Sequence, residues 1–254
     1  MELKRQLGLF TGIMVIIADM IGTGIFMTTG NILGMTNNAL IVILLWVIGG
    51  VVALCGALSY SELAVLWPDV GGEYLYLKKI FGNLPAFLTG WVSLIVGFTA
   101  PVATSSMLLV QYLNKFFMNI HAAGITSITG DIFWQKNIAA LIIITFGCIH
   151  IIGVKRGTAI QNILTVIKIA IVAAFIIAGF YVLDSSAIHR LYAHYGTVET
   201  GSIPFVGLSL LMVMFAYTGW NGATYIAGEI VAPEKNLPRI MFWGVTITTV
   251  LYIL

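Results

Sequence analysis

The sequence predicts an all-α protein that crosses a membrane several times. Three observations carry this. Charged residues are 9% of the 254 and mean hydropathy is +1.02, where a soluble domain carries about 25% charged residues. The apolar residues gather into runs of about twenty residues or more, the length that crosses a hydrocarbon core of about 30 Å. Two of those runs are interrupted by glycine-rich breaks, Gly22-Thr23-Gly24 and Tyr217-Thr218-Gly219-Trp220-Asn221-Gly222. The net charge of +2 says little alone.

Taken in order, the runs are 9–33, 39–67, 84–116, 137–154, 157–183, 203–231 and 239–254. The first holds the Gly-Thr-Gly break near its middle. The second ends at Pro68 and the Gly71-Gly72 turn, both helix breakers. The stretch Gly72 to Phe81 is short, basic and aromatic, which reads as an amphipathic helix on the membrane surface. A tight turn near Gly153 to Gly157 separates the fourth and fifth runs, and a polar loop, Asp184 to Ser202, separates the fifth and sixth. The seventh, at about 1.5 Å per residue, is short for a crossing, so the chain is expected to stop inside its seventh helix. In the second run Gly49, Ala53 and Ala57 recur every four residues, a stripe small enough for another helix to approach closely.

Basic residues set the expected orientation. With the N-terminus in the cytoplasm, Lys4, Arg5, Lys78, Lys79, Lys155, Arg156, Lys235 and Arg239 fall inside, and Lys115, Lys136 and Arg190 outside. The opposite orientation inverts that bias. No cleavable signal peptide is evident.

The breaks point to chemistry. A helix in lipid must satisfy its own backbone, and an interruption survives only where the freed groups face protein or a water-filled cavity. A half-helix N-terminus offers N–H groups and partial positive charge; a half-helix C-terminus offers carbonyls and partial negative charge. A zwitterionic amino acid suits the pair. The half-helix starting near Thr23 would present the N–H groups of Thr23, Gly24 and Ile25 to a carboxylate. The one ending near Phe215 to Tyr217 would present carbonyls to an ammonium.

Lys168 lies near the centre of the fifth run, about three turns from either helix end and beyond easy snorkelling reach. A charge at that depth costs several kcal/mol, by roughly any scale, unless it is paired or wet. It reads as a stand-in for a sodium ion or as a carrier of a coupling proton. Asp19, one turn before the first break, is expected either to pair with Lys168 or to face an aqueous vestibule. Glu62 and Glu229 read as structural or gating partners for inner-face Lys and Arg. Cys55 and Cys148, both within apolar runs, read as small buried hydrophobes. His189 and His194 have poor metal spacing. No catalytic triad, nucleotide fingerprint or metal motif is present, so no enzyme activity, cofactor, metal or nucleic-acid partner is expected.

Ile21-Gly22-Thr23-Gly24-Ile25-Phe26 resembles the first-helix motif of the amino acid–polyamine–organocation superfamily, usually Ile-Gly-Ser-Gly-Ile-Phe. Ser59-Tyr60-Ser61-Glu62-Leu63, then Pro68 and Gly71-Gly72-Glu73-Tyr74, resembles its second-helix end and first inner loop. Phe215-Ala216-Tyr217-Thr218-Gly219-Trp220-Asn221, with Glu229 and Pro233 to Arg239, is similar to the L-type amino acid transporter branch. The resemblance covers essentially the whole chain. It implies an inverted-repeat (5+5) transporter fold with discontinuous helices 1 and 6, here truncated within helix 7. One transmembrane domain would then span 1–254, with the first repeat over 9–183 and the start of the second over 203–254. It implies that Ile21, Gly22, Thr23, Gly24 and Ile25 hold a substrate carboxylate, and that carbonyls of Phe215, Ala216 and Tyr217 hold the amino group. The Phe215 ring would gate the site, Asn221 would line it, and Lys168 would replace sodium.

Two departures matter. Asp19 is not the residue the family motif leads one to expect, and it is expected to tune proton coupling or specificity. The outer loop from Lys115 to Lys136 lacks the cysteine that animal members of the branch use to bind a glycoprotein subunit. No disulfide-linked heavy subunit is therefore expected, and a stand-alone, prokaryotic transporter is. The resulting expectation is a sodium-independent permease or exchanger of neutral L-amino acids in the plasma or inner membrane. The alternatives are a cationic amino acid or polyamine permease, with Asp19 as counter-charge, and a transporter-like amino acid sensor.

Overall fold

The computed structural model describes residues 4–120, 130–151, 154–182 and 203–254. Among them the regular structure is helical, save one isolated parallel bridge between Leu7 and Ile230. In chain order the helices are α1 (Leu9–Met20), α2 (Thr23–Thr36), α3 (Ala39–Leu66), α4 (Gly72–Phe81), α5 (Asn83–Val92), α6 (Ala100–Asn119), α7 (Ile132–Ile151), α8 (Val154–Val182), α9 (Ile203–Ala216), α10 (Gly222–Tyr225) and α11 (Pro233–Ile253). A π-helical stretch, Ser93–Thr99, joins α5 to α6, and a 3-10 turn, Ala227–Glu229, lies beyond α10.

Local chemistry explains the boundaries. Asn37 ends α2 in the left-handed conformation (φ 46°), and Asn38 opens α3 by accepting from Leu40 N and Ile41 N at 3.0 and 3.3 Å. Asparagine suits both positions, a C-terminal stop and an N-cap. α3 ends at Leu66, with Trp67 as its C-cap ahead of Pro68, as expected. Among the described residues four helical stretches, with α5 through α6 taken as one, are long and apolar enough to cross a membrane, and α1 with α2, bent by 42°, passes the same test when the pair is taken as one broken span.

Several boundaries differ from the hydropathy reading. α6 runs to Asn119 and α7 starts at Ile132, so Lys115 and Lys136 lie in helices rather than in a loop. α11 starts at Pro233 rather than 239 and carries Pro238 inside it. Hydropathy marks where lipid begins, whereas backbone hydrogen bonding continues past it. The sixth run is not two long half-helices. α9 stops at Ala216, and the chain then runs on through turns, the four-residue α10 and the 3-10 turn. Cys55 and Cys148 stand on exposed faces, correcting the buried reading; a membrane helix turns apolar residues outward as well as inward. The Asp184 to Ser202 loop, with His189, Arg190 and His194, lies outside the described residues, as does the heart of the turn at 152–153.

The described residues divide into two compact units, Met1–Tyr76 with Gln161–Leu254, and Leu77–Ile160. In the second unit α6 packs along α7. In the first, α3 and α1 both pack on α11, and α9 packs on α2 and α3. The small-residue stripe seats these contacts: Ala53 and Ala57 are buried, and a Cβ on Gly49 would lie 2.5 Å from Val213 Cγ1. At the centre, Trp46, Tyr217 and Tyr252 form a triangle of rings with centroids 5.1–5.6 Å apart. Edge contacts of this kind add about 0.5–1.5 kcal/mol each beyond area burial. Ahead of α1 the chain is tied down by backbone bonds: Gln6 N and Leu7 N donate to Glu229 O, each at 2.9 Å, and Val231 N donates to Leu7 O at 2.9 Å.

Candidate functional site

The last turn of a helix leaves carbonyls without internal partners. At the end of α1 these carbonyls are accounted for almost one by one. Ile17 O accepts from Ile21 N at 2.9 Å. Ala18 O and Ile21 O both accept from Lys168 Nζ, each at 3.0 Å. Met20 O accepts from the Tyr252 hydroxyl at 2.6 Å. Two side chains from distant helices, α8 and α11, thus stabilise the break. Lys168 is aimed into the fold, and no ion pair joins it to Asp19 among the described residues; it spends two of its three donors on carbonyls.

Across the break, α2 starts at Thr23 on Gly22, which is extended (φ −127°, ψ −155°), and no side chain caps the new helix. The first-turn N–H groups of Thr23, Gly24 and Ile25 therefore lack an intrahelical partner. Open space lies beside them: a Cβ on Gly22 would meet nothing within 4 Å. Gly24 differs, because a Cβ there would lie 2.8 Å from Ala216 Cα. That contact brings the two breaks together.

The second break is built by α9 ending at Ala216. Phe215 O accepts from Thr218 N at 3.1 Å and from Thr218 Oγ1 at 2.7 Å, so the turn itself takes up both of its lone pairs. Ala216 O receives the Tyr252 hydroxyl at 3.4 Å and keeps a second lone pair. Tyr217 is fully buried and its hydroxyl donates to Trp46 O at 2.9 Å. Gly219 then reverses the chain at φ +103°, a conformation that favours glycine. A Cβ at Gly219 would lie 2.7 Å from the Asp19 carbonyl carbon, and the Asp19 carboxylate rests against Gly222. Asp19 is itself exposed and finds no hydrogen-bond donor among the described residues.

Phe215 is 59% exposed beside the break. Asn221 is half-buried, and its Nδ2 donates to Glu73 Oε2 at 3.1 Å. Glu62 is exposed, and one Glu229 carboxylate oxygen is buried without a partner. Neither forms an ion pair among the described residues; the side chain of Lys155, one of the inner-face cations, lies outside them. In α4, burial pushes the Tyr76 phenol up to about 12, so it stays neutral.

Three residues that shape the site did not stand out in the sequence: Tyr252, Thr218 and Glu73. Tyr252 had a usable signal, since a tyrosine deep in an apolar run needs a partner for its hydroxyl. It is the one described side chain that hydrogen-bonds to both breaks.

Comparison with known proteins bears on what this arrangement is for. Residues 7–254 match the amino acid permease family. The b(0,+)-type amino acid transporter 1 of Mus musculus is 31% identical over 254 residues, covering 100% of this chain and 50% of the transporter. The serine/threonine exchanger SteT of Bacillus subtilis (strain 168) is 30% identical over 256 residues, covering 99% and 53%. The large neutral amino acids transporter small subunit 2 of Mus musculus is 28% identical over 253 residues, covering 99% and 46%. The chain spans about half the length of these relatives.

Proposed function

The chain belongs to the amino acid permease family, a family of transporters rather than enzymes, and from that premise we propose that it forms the substrate-binding part of a sodium-independent exchanger of neutral L-amino acids. The observation that carries this is the meeting of the two breaks at Gly24 and Ala216. Uncapped N–H groups of α2 face open space beside Gly22, where a carboxylate fits. Across from them the end of α9 supplies the ammonium site. Its best acceptors are the carbonyls of Ala216 and Tyr217, while that of Phe215 is already engaged by Thr218. Lys168 supplies positive charge where a sodium ion would otherwise stabilise the first break. Transport would proceed by alternating access, the broken helices rocking around a site near the membrane midplane.

The names of the relatives support the finer reading: one is a serine/threonine exchanger and another a transporter of large neutral amino acids. The bias of basic residues supports an N-terminus in the cytoplasm, and we assign the transporter to a plasma or inner membrane. We assign helices 9–183 to a first repeat and 203–254 to the opening of a second, and a stand-alone assembly without a disulfide-linked subunit. One observation favours a second reading: the exposed Asp19 carboxylate, with no donor among the described residues, could receive a cationic side chain.

The test is uptake of labelled serine, alanine and leucine into liposomes holding the full-length transporter, with and without internal amino acid, sodium and a pH gradient. Stimulation by internal amino acid, indifferent to sodium, is the expected result. Sodium dependence, or uptake driven by the pH gradient into empty vesicles, would overturn the exchange mechanism. Transport confined to lysine, arginine or putrescine would move the assignment to the second reading.

A further inference from the structure

We propose that Glu73 is a positioning residue that fixes which way the Asn221 amide faces, so that the site presents an oxygen acceptor to the substrate. This rests on the transport reading and names the substrate feature selected: a hydrogen-bond donor, such as a side-chain hydroxyl, at that end of the site.

An ionised carboxylate accepts hydrogen bonds and donates none. The Asn221 group facing Glu73 Oε2 at 3.1 Å must therefore be the NH2 end. That settles the amide orientation chemically, where a neutral neighbour would allow either face. The bond is charge-assisted, the stronger class. Asn221 Oδ1 is left pointing elsewhere. It has no partner among the described residues and is not sealed from solvent, so it is accessible. Asn221 is held from its backbone as well: its carbonyl accepts from Thr224 N at 2.9 Å and from Thr224 Oγ1 at 2.7 Å.

Glu73 is placed with equal care. It lies in the first turn of α4, where negative charge suits the helix dipole. The residue before it, Gly72, has φ +52°, and a Cβ there would lie 2.9 Å from both Thr224 Oγ1 and Tyr225 Cε1. Glycine thus lets the start of α4 sit directly on α10. Aromatic rings back the contact. Tyr76 stacks on Trp67 and meets Tyr60 edge-on, and Tyr60 meets Trp220, next to Asn221, at 5.0 Å. These contacts hold two segments 148 residues apart in one register.

Two measurements on the full-length transporter test this. In reconstituted vesicles, Glu73→Gln is expected to lower the serine-to-alanine ratio of kcat/KM about tenfold, through the KM for serine, while alanine changes less than threefold. A glutamine can donate to Asn221 Oδ1 and let the amide turn over. Glu73→Asp keeps an acceptor and should retain most of the preference. A ratio unchanged within twofold, or equal losses for both substrates, overturns the proposal. Independently of transport, a double-mutant cycle read by Tm tests the bond: Glu73→Ala should cost less in the Asn221→Ala background than in the wild type. Equal costs in the two backgrounds overturn the bond. If the cycle shows coupling and the wild type carries no amino acid, it is the transport reading that fails, not the Glu73–Asn221 bond.

Discussion

Removing one oxygen from Tyr252 is the sharpest perturbation the fold allows. Tyr252→Phe leaves the ring in place against Trp46 and Tyr217, with centroids 5.1 and 5.2 Å away, so packing is unchanged. What is lost is the donor to Met20 O at 2.6 Å and the longer contact to Ala216 O at 3.4 Å. Tyr252 is 5% exposed, so water does not replace it. Leaving one buried acceptor unsatisfied costs about 1–3 kcal/mol, and the 3.4 Å contact adds little. We expect about 2 kcal/mol. For a transporter about twice the length of this chain, whose unfolding entropy is correspondingly larger, that is a Tm loss of about 2–4 °C. Tyr217→Phe is the control, since it loses a single bond to Trp46 O at 2.9 Å, remote from either break's carbonyls; it should cost about 1 kcal/mol. Thermal unfolding of the detergent-solubilised transporter reads both. Only Tyr252→Phe should also slow exchange, by about tenfold or more. If it costs less than Tyr217→Phe and exchanges at the wild-type rate, Tyr252 does not hold the carbonyls of the first break.

Gly24→Ala places a methyl against Ala216 Cα and should cost about 1–3 kcal/mol as an overpacked contact, while Gly22→Ala, with open space around it, should leave Tm alone and raise the KM for amino acid; equal Tm losses in the pair would refute this. Gly219→Ala combines a strained φ of +103° with collision against the Asp19 backbone, each worth on the order of 1–3 kcal/mol, so little monodisperse protein should survive size-exclusion chromatography. Lys168→Met removes both charged bonds to Ala18 O and Ile21 O, and should reduce exchange at least tenfold; Lys168→Arg, a planar fork in place of a point charge, should not restore it.

The first five runs were legible as spans because lipid demands long apolar runs, whereas α9 is too short and α11 not apolar enough to count as one; the breaks were legible because glycine in such a run is costly without a purpose. The breaks fell where expected, at Gly22 and after Ala216. The collapse of the sixth run into turns was not legible, since Ile226 and Ile230 keep it apolar while Gly219 sets the backbone. The bonds that hold the site were hidden for a different reason. Tyr252 reaches Met20 across 232 residues, and Asn221 reaches Glu73 across 148. Periodicity reports which face of a helix is apolar and carries no information about which distant carbonyl a hydroxyl will find. Lys168 was singled out because a charge is conspicuous in lipid; a carboxylate was one expected partner, and its hydrogen bonds go to carbonyls instead.

The pairing of Leu7 with Ile230 is written in main-chain atoms alone. Leu7 and Ile230 are also buried in the core, so an alanine scan would report their lost packing and leave the main-chain bonds of the seam untouched. Proline would find it: at position 7 it deletes the N–H that Glu229 O accepts. The same seam sets a limit for anyone attaching a reporter or trimming the front of the chain. Changes that stop ahead of Gln6 leave the first broken helix moored to the segment beyond the second break, and changes that run past it cast that mooring off.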